Sequence, residues 1–202
     1  MPAELGPLEV AWVTAELDRV RDLLLGLGLP PRSDGSLSAG PVVVTVRSDR
    51  TSPADRLIIE GPLEPSAEDE AAPAGGPAVL ALGWATVDAE RFADELGRSL
   101  STEVYDEPDL GARARLLSAD VSRTAGAPTL RLITLEPSTE GRLAGALARH
   151  GEGPVAIYLD GVGGAPDVAD ASPPHPTPLG RPGRLLRPAQ VSGPYLIVTG
   201  SE

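Results

Sequence analysis

Residues 12–24 read WVTAELDRVRDLL, and residues 84–96 read WATVDAERFADEL. At one constant offset Trp12 meets Trp84, Thr14 meets Thr86 and Arg19 meets Arg91. Asp22 likewise meets Asp94, and Leu24 meets Leu96. Glu16 and Asp88 keep the same charge, as do Asp18 and Glu90. A second echo joins RLIIEGP (56–62) to RLITLEP (131–137) at a slightly larger offset. Two echoes in the same order predict a duplicated unit.

Working outward, each unit has a coarse reading. Residues 8–13 alternate as a strand does, and Leu17, Val20, Leu24 and Leu27 give an apolar stripe to a helix near 15–28. Gly26, Gly28 and Pro30-Pro31 end it. The β-branched run PVVVTVR (41–47) and residues 56–60 read as strands. In the second unit a strand is expected over about 79–86. Asp88 is a suitable N-cap for a helix to about 100, with Phe92 and Leu96 inward. Strands follow near 103–106, 112–119 and 129–135. Each unit reads as approximately βαβββ, with the strand count of the first left open.

Beyond the repeat, a helix is expected at 139–149, capped by Ser138 and stopped by Gly151. Strands fit 154–159, 183–187 and 194–199. The expected organisation is a first module at 1–62, an acidic Pro/Gly linker at 63–77 and a second module at 78–137. A helix plus a truncated third unit fills 138–202, and its Pro/Gly-rich segment 161–183 reads as a loop.

Composition excludes several chemistries. The chain of 202 residues has no Cys, so disulfides, thiol nucleophiles and Cys-ligated metals are out. All 17 basic residues are Arg, which removes Schiff-base lysines and the P-loop lysine. There are two His, His150 and His175, too few for a three-His site within one chain. No Gly-x-Ser-x-Gly elbow and no complete dinucleotide glycine loop is present. A net charge of −12 repels nucleic acid and anionic membranes. No apolar run approaches the roughly 18 residues of a membrane span, and the N-terminus lacks a signal-peptide pattern. A cytoplasmic protein from a GC-rich bacterial genome is the expectation.

The stretch LITLEPSTEGRLAGALARHGEGPVAIYL (132–159) has a strand, a Leu-Glu-Pro turn, a helix, a Gly-Glu-Gly turn and a strand. RLLRPAQVSGPYLIV (184–198) has the look of a closing hairpin, with Pro188 and Gly193 at its turn, and GWATVD (83–88) of an opening strand. Together these resemble the vicinal oxygen chelate (glyoxalase/bleomycin-resistance/dioxygenase) superfamily, and within it the methylmalonyl-CoA epimerase-like proteins. The resemblance implies an α+β fold in which repeated βαβββ modules form a cup-shaped mixed sheet with helices on its outer face. It also implies a metal ligand, His, Glu or Gln, on each of four strands. At those positions stand Leu82, Ile133, Ala156 and Ile197, with Val10 and Ile58 in the N-terminal unit. Aliphatic side chains offer no donor to a divalent cation, so no metal and no cofactor is expected.

Strand alternation then gives the neighbours on the expected cup face. Trp84 and Thr86 fall beside Leu82, Arg131 and Leu135 beside Ile133, Tyr158 beside Ala156, and Tyr195 beside Ile197. Trp12 and Thr14 fall beside Val10. In a chain with two Trp, three Tyr and one Phe, that clustering points to a ligand pocket formed by Trp84, Arg131, Tyr158, Tyr195 and Trp12. The same rings equally read as filling for a cavity without metal. Tyr158, Tyr195 and Glu152 of the Gly-Glu-Gly turn are the residues to weigh for acid–base work. His150 reads as a helix C-terminal partner and His175 as an exposed loop residue.

The first expectation is a metal-free small-molecule-binding protein, suited to sequestering a metabolite or antibiotic. One alternative is a metal-independent isomerase, epimerase, lyase or cyclase in a bacterial pathway. Another is a non-catalytic scaffold. Association as a homodimer, common in the superfamily, is left open by the sequence.

Overall fold

The computed structural model describes residues 8–49, 55–60, 76–118, 130–138, 140–162, 170–187 and 194–200. The expected linker 63–77, apart from Gly76 and Pro77, lies outside the described residues. So do residues 163–169 of the expected loop, and Pro188 and Gly193 of the closing hairpin.

The first unit runs β1 (Leu8–Thr14), α1 (Leu17–Gly26), β2 (Leu37–Ala39), β3 (Val42–Ser48) and β4 (Arg56–Glu60). These four strands form a small sheet in the order β2-β3-β1-β4. β1 lies parallel to β3 and antiparallel to β4. Across it Arg47 bridges Glu60 at 2.6 Å and Glu9 at 2.7 Å.

The second unit runs β5 (Ala78–Ala85), α2 (Ala89–Glu95), β6 (Tyr105–Glu107), β7 (Ala112–Leu117) and β8 (Arg131–Pro137). Asp88 caps α2 as its sequence predicts, accepting from the Arg91 amide at 2.9 Å. α3 (Arg142–His150) follows, then β9 (Gly153–Asp160), β10 (Asp170–Ala171), β11 (His175–Pro176), β12 (Pro182–Arg187) and β13 (Tyr195–Thr199). The expected Ser138 cap is not used. α3 starts from Gly141, while the Ser138 amide donates to the Gly111 carbonyl at 2.9 Å.

Strands β5 to β13 make one large sheet, in the order β10-β12-β13-β9-β5-β8-β7-β6, with β11 paired to β12. In one half β5 lies parallel to β8, and in the other β9 lies parallel to β13. The halves join through the antiparallel pair β5–β9. Residues 78–137 therefore pair with the C-terminal unit, and the small sheet is separate in its hydrogen bonding but packs against the large one. The sheet curls until β11, at one end, packs against β6 at the other.

Its two faces carry separate cores. On the convex side, Leu82, Leu132, Ile157 and Leu196 pack with Phe92 of α2, Val20 and Leu24 of α1, and Val10 and Trp12 of the small sheet. On the concave side, Ile133, Leu135, Ala156, Tyr158, Leu185 and Ile197 pack together, and α3 adds Leu143 and Ala146. Each fully buried large aliphatic side chain contributes on the order of 1.5–3 kcal/mol, so alternation along each strand stabilises both layers.

Candidate functional site

The concave face is where chemistry would sit, and its floor is filled. Ile133, Ala156 and Ile197 reach it as expected. Leu82 does not. The β5–β9 register shifts between Val79 and Ala81, and this irregularity turns Leu82 to the convex side. Gly83 takes the concave position, paired with Ile133 on one side and Ala156 on the other. A Cβ on Gly83 would stand 2.8 Å from both Ala156 Cβ and Leu135 Cδ1, and 3.4 Å from the Tyr158 ring. A divalent cation does not fit here: the positions offer no oxygen or nitrogen donor and side chains occupy the space. Among the described residues no three His, Asp or Glu cluster elsewhere as a metal would require.

The aromatic residues divide between the faces. Trp84 lies on the convex side and stacks on Phe92, ring centroids 5.0 Å apart at 18°. Trp12 is fully buried in that same cluster. Both Trp therefore pack in the convex core, Trp12 from β1 and the partly buried Trp84 two residues along β5 from Leu82. Tyr158 and Tyr195 do face the concave side. Arg131 is exposed at the start of β8, opposite Ala81. The structure thus brings Tyr158 and Tyr195 to one face and leaves Trp12, Trp84 and Arg131 away from it.

The acid–base expectations also change. Glu152 accepts from the Thr86 hydroxyl at 2.8 Å, the Val87 amide at 2.9 Å and Arg91 at 2.5 Å. The Arg91 guanidinium, and then the Val87 amide, pull its carboxyl down to about 2. It ties the start of β9 to the start of α2 as an anion held by Arg91 and the Val87 amide. The Tyr195 hydroxyl donates to the Arg142 carbonyl at 3.0 Å, anchoring β13 to α3. Burial raises its pKa. His150 ends α3, where a cation suits the helix dipole.

The concave face holds a cluster that sequence reasoning missed. Glu107, on β6, is 1% exposed. The hydroxyl of the fully buried Tyr158 donates to its Oε1 at 2.9 Å. His175 Nε2, on β11, lies 2.6 Å from its Oε2. Burial, and then the Glu107 charge, push the Tyr158 hydroxyl well above its ordinary pKa, so it keeps its proton and donates. The Glu107 carboxylate raises the His175 imidazole above 6.5, against the opposing effect of burial. Asp109 and the Pro173 carbonyl raise it further. The expected exposure of His175 is thus overturned: its ring is 8% exposed, and Nδ1 is sealed from solvent without an aligned partner. No local motif marks Glu107 or His175 as partners. The usable signal is a His inside a Pro-rich segment that has an otherwise unexplained acidic strand to meet.

A pocket of about 430 Å³ opens beside this cluster, at the seam of the curled sheet. Tyr105 of β6 forms one wall, and His175, Pro176, Thr177, Arg181 and Pro182 form the other. Thr177 and Ile197 crowd Gly183, where a Cβ would stand 2.5 Å from Thr177 Cγ2. A side chain there would push β11 off β12. The Arg181 guanidinium is paired with Asp160.

A βαβββ half (β5 to β8) and a second half of strands (β9 to β13), each with parallel first and last strands and joined antiparallel into one curled sheet, decide the architecture. The fold is of the vicinal oxygen chelate type. No family model and no curated protein matches the chain. Among solved structures it is similar to methylmalonyl-CoA epimerase from Mycobacterium tuberculosis, at 16% identity and a TM-score of 0.47, over 61% of this chain and 87% of that one. It is similar to Streptomyces coelicolor methylmalonyl-CoA epimerase in complex with 2-nitronate-propionyl-CoA, at 19% identity and a TM-score of 0.45, over 61% and 96%. A hypothetical protein from Bacillus halodurans shares 16% identity at a TM-score of 0.44, over 62% and 95%. Among the described residues, no helix of this fold is long and apolar enough to cross a membrane.

Proposed function

We propose that this chain of vicinal oxygen chelate fold is a metal-free small-molecule-binding protein, suited to sequestering a metabolite or antibiotic. The observation that carries the reading is the pocket at the seam, set beside a cup floor that its own side chains have filled. Its walls are a Tyr ring, prolines and a Thr, with a histidine and an arginine each paired to a carboxylate. Such walls suit a flat, largely apolar ligand carrying a few polar atoms. Tyr158 serves this pocket from behind, by holding Glu107.

A screen of aromatic fragments by ligand-observed NMR tests the reading. Binders are expected, and Tyr105→Ala should weaken them about tenfold or more, the loss of one aromatic wall. The same preparation, exposed to zinc, nickel, cobalt, manganese and iron and then desalted, should retain no stoichiometric metal. Fragments that ignore Tyr105→Ala, or one metal per chain, would overturn it.

A second reading, a metal-independent isomerase, epimerase, lyase or cyclase, draws on one observation. His175 lines the pocket with a buried carboxylate against its Nε2, the arrangement that orients an imidazole for proton transfer. Turnover that fails in His175→Gln would favour it over simple binding.

A further inference from the structure

The large sheet comes back on itself at one seam, and the two ends share no backbone ladder there among the described residues. β6 pairs with β7, and β11 pairs with β12. The segment carrying β11 cannot easily recruit one, because Pro173, Pro174, Pro176 and Pro178 have no amide hydrogen. Towards β12 it has short backbone pairings reinforced by side chains, and towards β6 a side chain alone is seen among the described residues. Towards β12, the Ser172 hydroxyl accepts from the Leu185 amide at 2.9 Å. The Thr177 hydroxyl donates to the Arg181 carbonyl at 2.7 Å. Towards β6, His175 meets Glu107.

We propose that the Glu107–His175 contact is a proton-operated clasp, which holds β11 against β6 and so sets the shape of the pocket between them. It rests on the pocket reading above and names the control of that site. Glu107 is fixed from below by Tyr158 of β9, so the carboxylate stays in place when the histidine changes charge. The groups facing the imidazole are Glu107 on β6, Asp109 just beyond it and the Tyr158 hydroxyl on β9. Arg181 lines the same pocket but pairs with Asp160. A charged imidazole gives the buried carboxylate a charge-assisted bond. A neutral one leaves that charge buried against a weaker donor.

The sign follows from linkage. Folding raises the imidazole above its ordinary 6.5. The clasp therefore contributes fully below about 6.5 and is lost as pH rises through the higher folded value. The strap is held in mild acid and loosens in alkali, and the pocket changes with it.

The native protein supplies the test, because its two histidines give two ring signals. His175 should titrate above 6.5 and fall towards 6.5 in Glu107→Gln. Hydrogen exchange, corrected for the intrinsic pH dependence of amides, should show protection of residues 170–187 dropping roughly tenfold relative to α1 through the same midpoint. His175→Gln should abolish that step. A His175 midpoint at or below 6.5, or a step that survives in His175→Gln, overturns the clasp. Should the variants fold poorly, the native protein still decides: protection that does not follow the His175 midpoint refutes it. The fragment screen, run at pH 6 and pH 9, separates the two claims. Absence of binders at either pH removes the pocket reading and leaves the exchange result standing. Binding with no exchange step removes the clasp alone.

Discussion

Gly83 marks a tight point of the concave face, where three strands meet. Gly83→Ala would press a methyl group against Ala156 and Leu135, each already packed on its own strand. A cost of about 1–3 kcal/mol is expected from overpacking of this kind. It should appear as a lower urea midpoint with an unchanged slope, and unaltered stability would show that β8 and β9 yield freely. The same residue explains a failure of sequence reading. The resemblance assigns Leu82 to the cup and alternation places Trp84 with it; Gly83 between them takes the concave position, so both fall on the other face. Ile133, Ala156, Ile197, Tyr158 and Tyr195 do reach the concave face, Ala156 and Tyr158 lying beyond the β9 irregularity at Val155 and alternating regularly from there. Glu107 and His175 were not legible as a pair: hydrogen bonding between residues so distant in sequence leaves no periodic trace.

Among the elements, those with a full period were legible, and of the shortest only β6 was. The ten residues of α1 and the apolar runs of β1, β3 and β9 carry clear patterns. β2, β10 and β11 have two or three residues each, too few to alternate. Proline content made the last two read as loop. The junction of β9 with α2 depends on Glu152, which gathers Thr86, Val87 and Arg91. Glu152→Gln should cost about 1 kcal/mol at neutral pH, after allowance for solvent screening. Its folded carboxyl sits at about 2, below the ordinary 4.5, so this contribution is present above about pH 4.5 and lost as pH falls through about 2. Thermal melts of the two proteins should therefore converge in strong acid, and a gap that persists at pH 2 would mean that packing dominates.

In the whole molecule, the two echoes have different structural counterparts. Trp12 and Trp84 stand on strands that each feed a helix, β1 into α1 and β5 into α2. RLIIEGP and RLITLEP do not correspond: β4 lies antiparallel to β1, whereas β8 lies parallel to β5. In the small sheet β3 takes the role of β8, and β4 lies where β9 lies in the large one. Similar strands can pair in either sense, since an apolar alternating run carries no mark of direction. The seam has a consequence in time as well as in space. Glu107 and His175 are 68 positions apart in the chain, and closing so long a loop costs entropy before any contact repays it. Their bond should form after the folding barrier has been crossed. His175→Gln is then expected to accelerate unfolding roughly tenfold in stopped-flow experiments while leaving the refolding rate unchanged. Refolding slowed by the same factor would instead place the seam in the folding nucleus. The lifetime of the native state, rather than the speed of reaching it, is what this single contact governs.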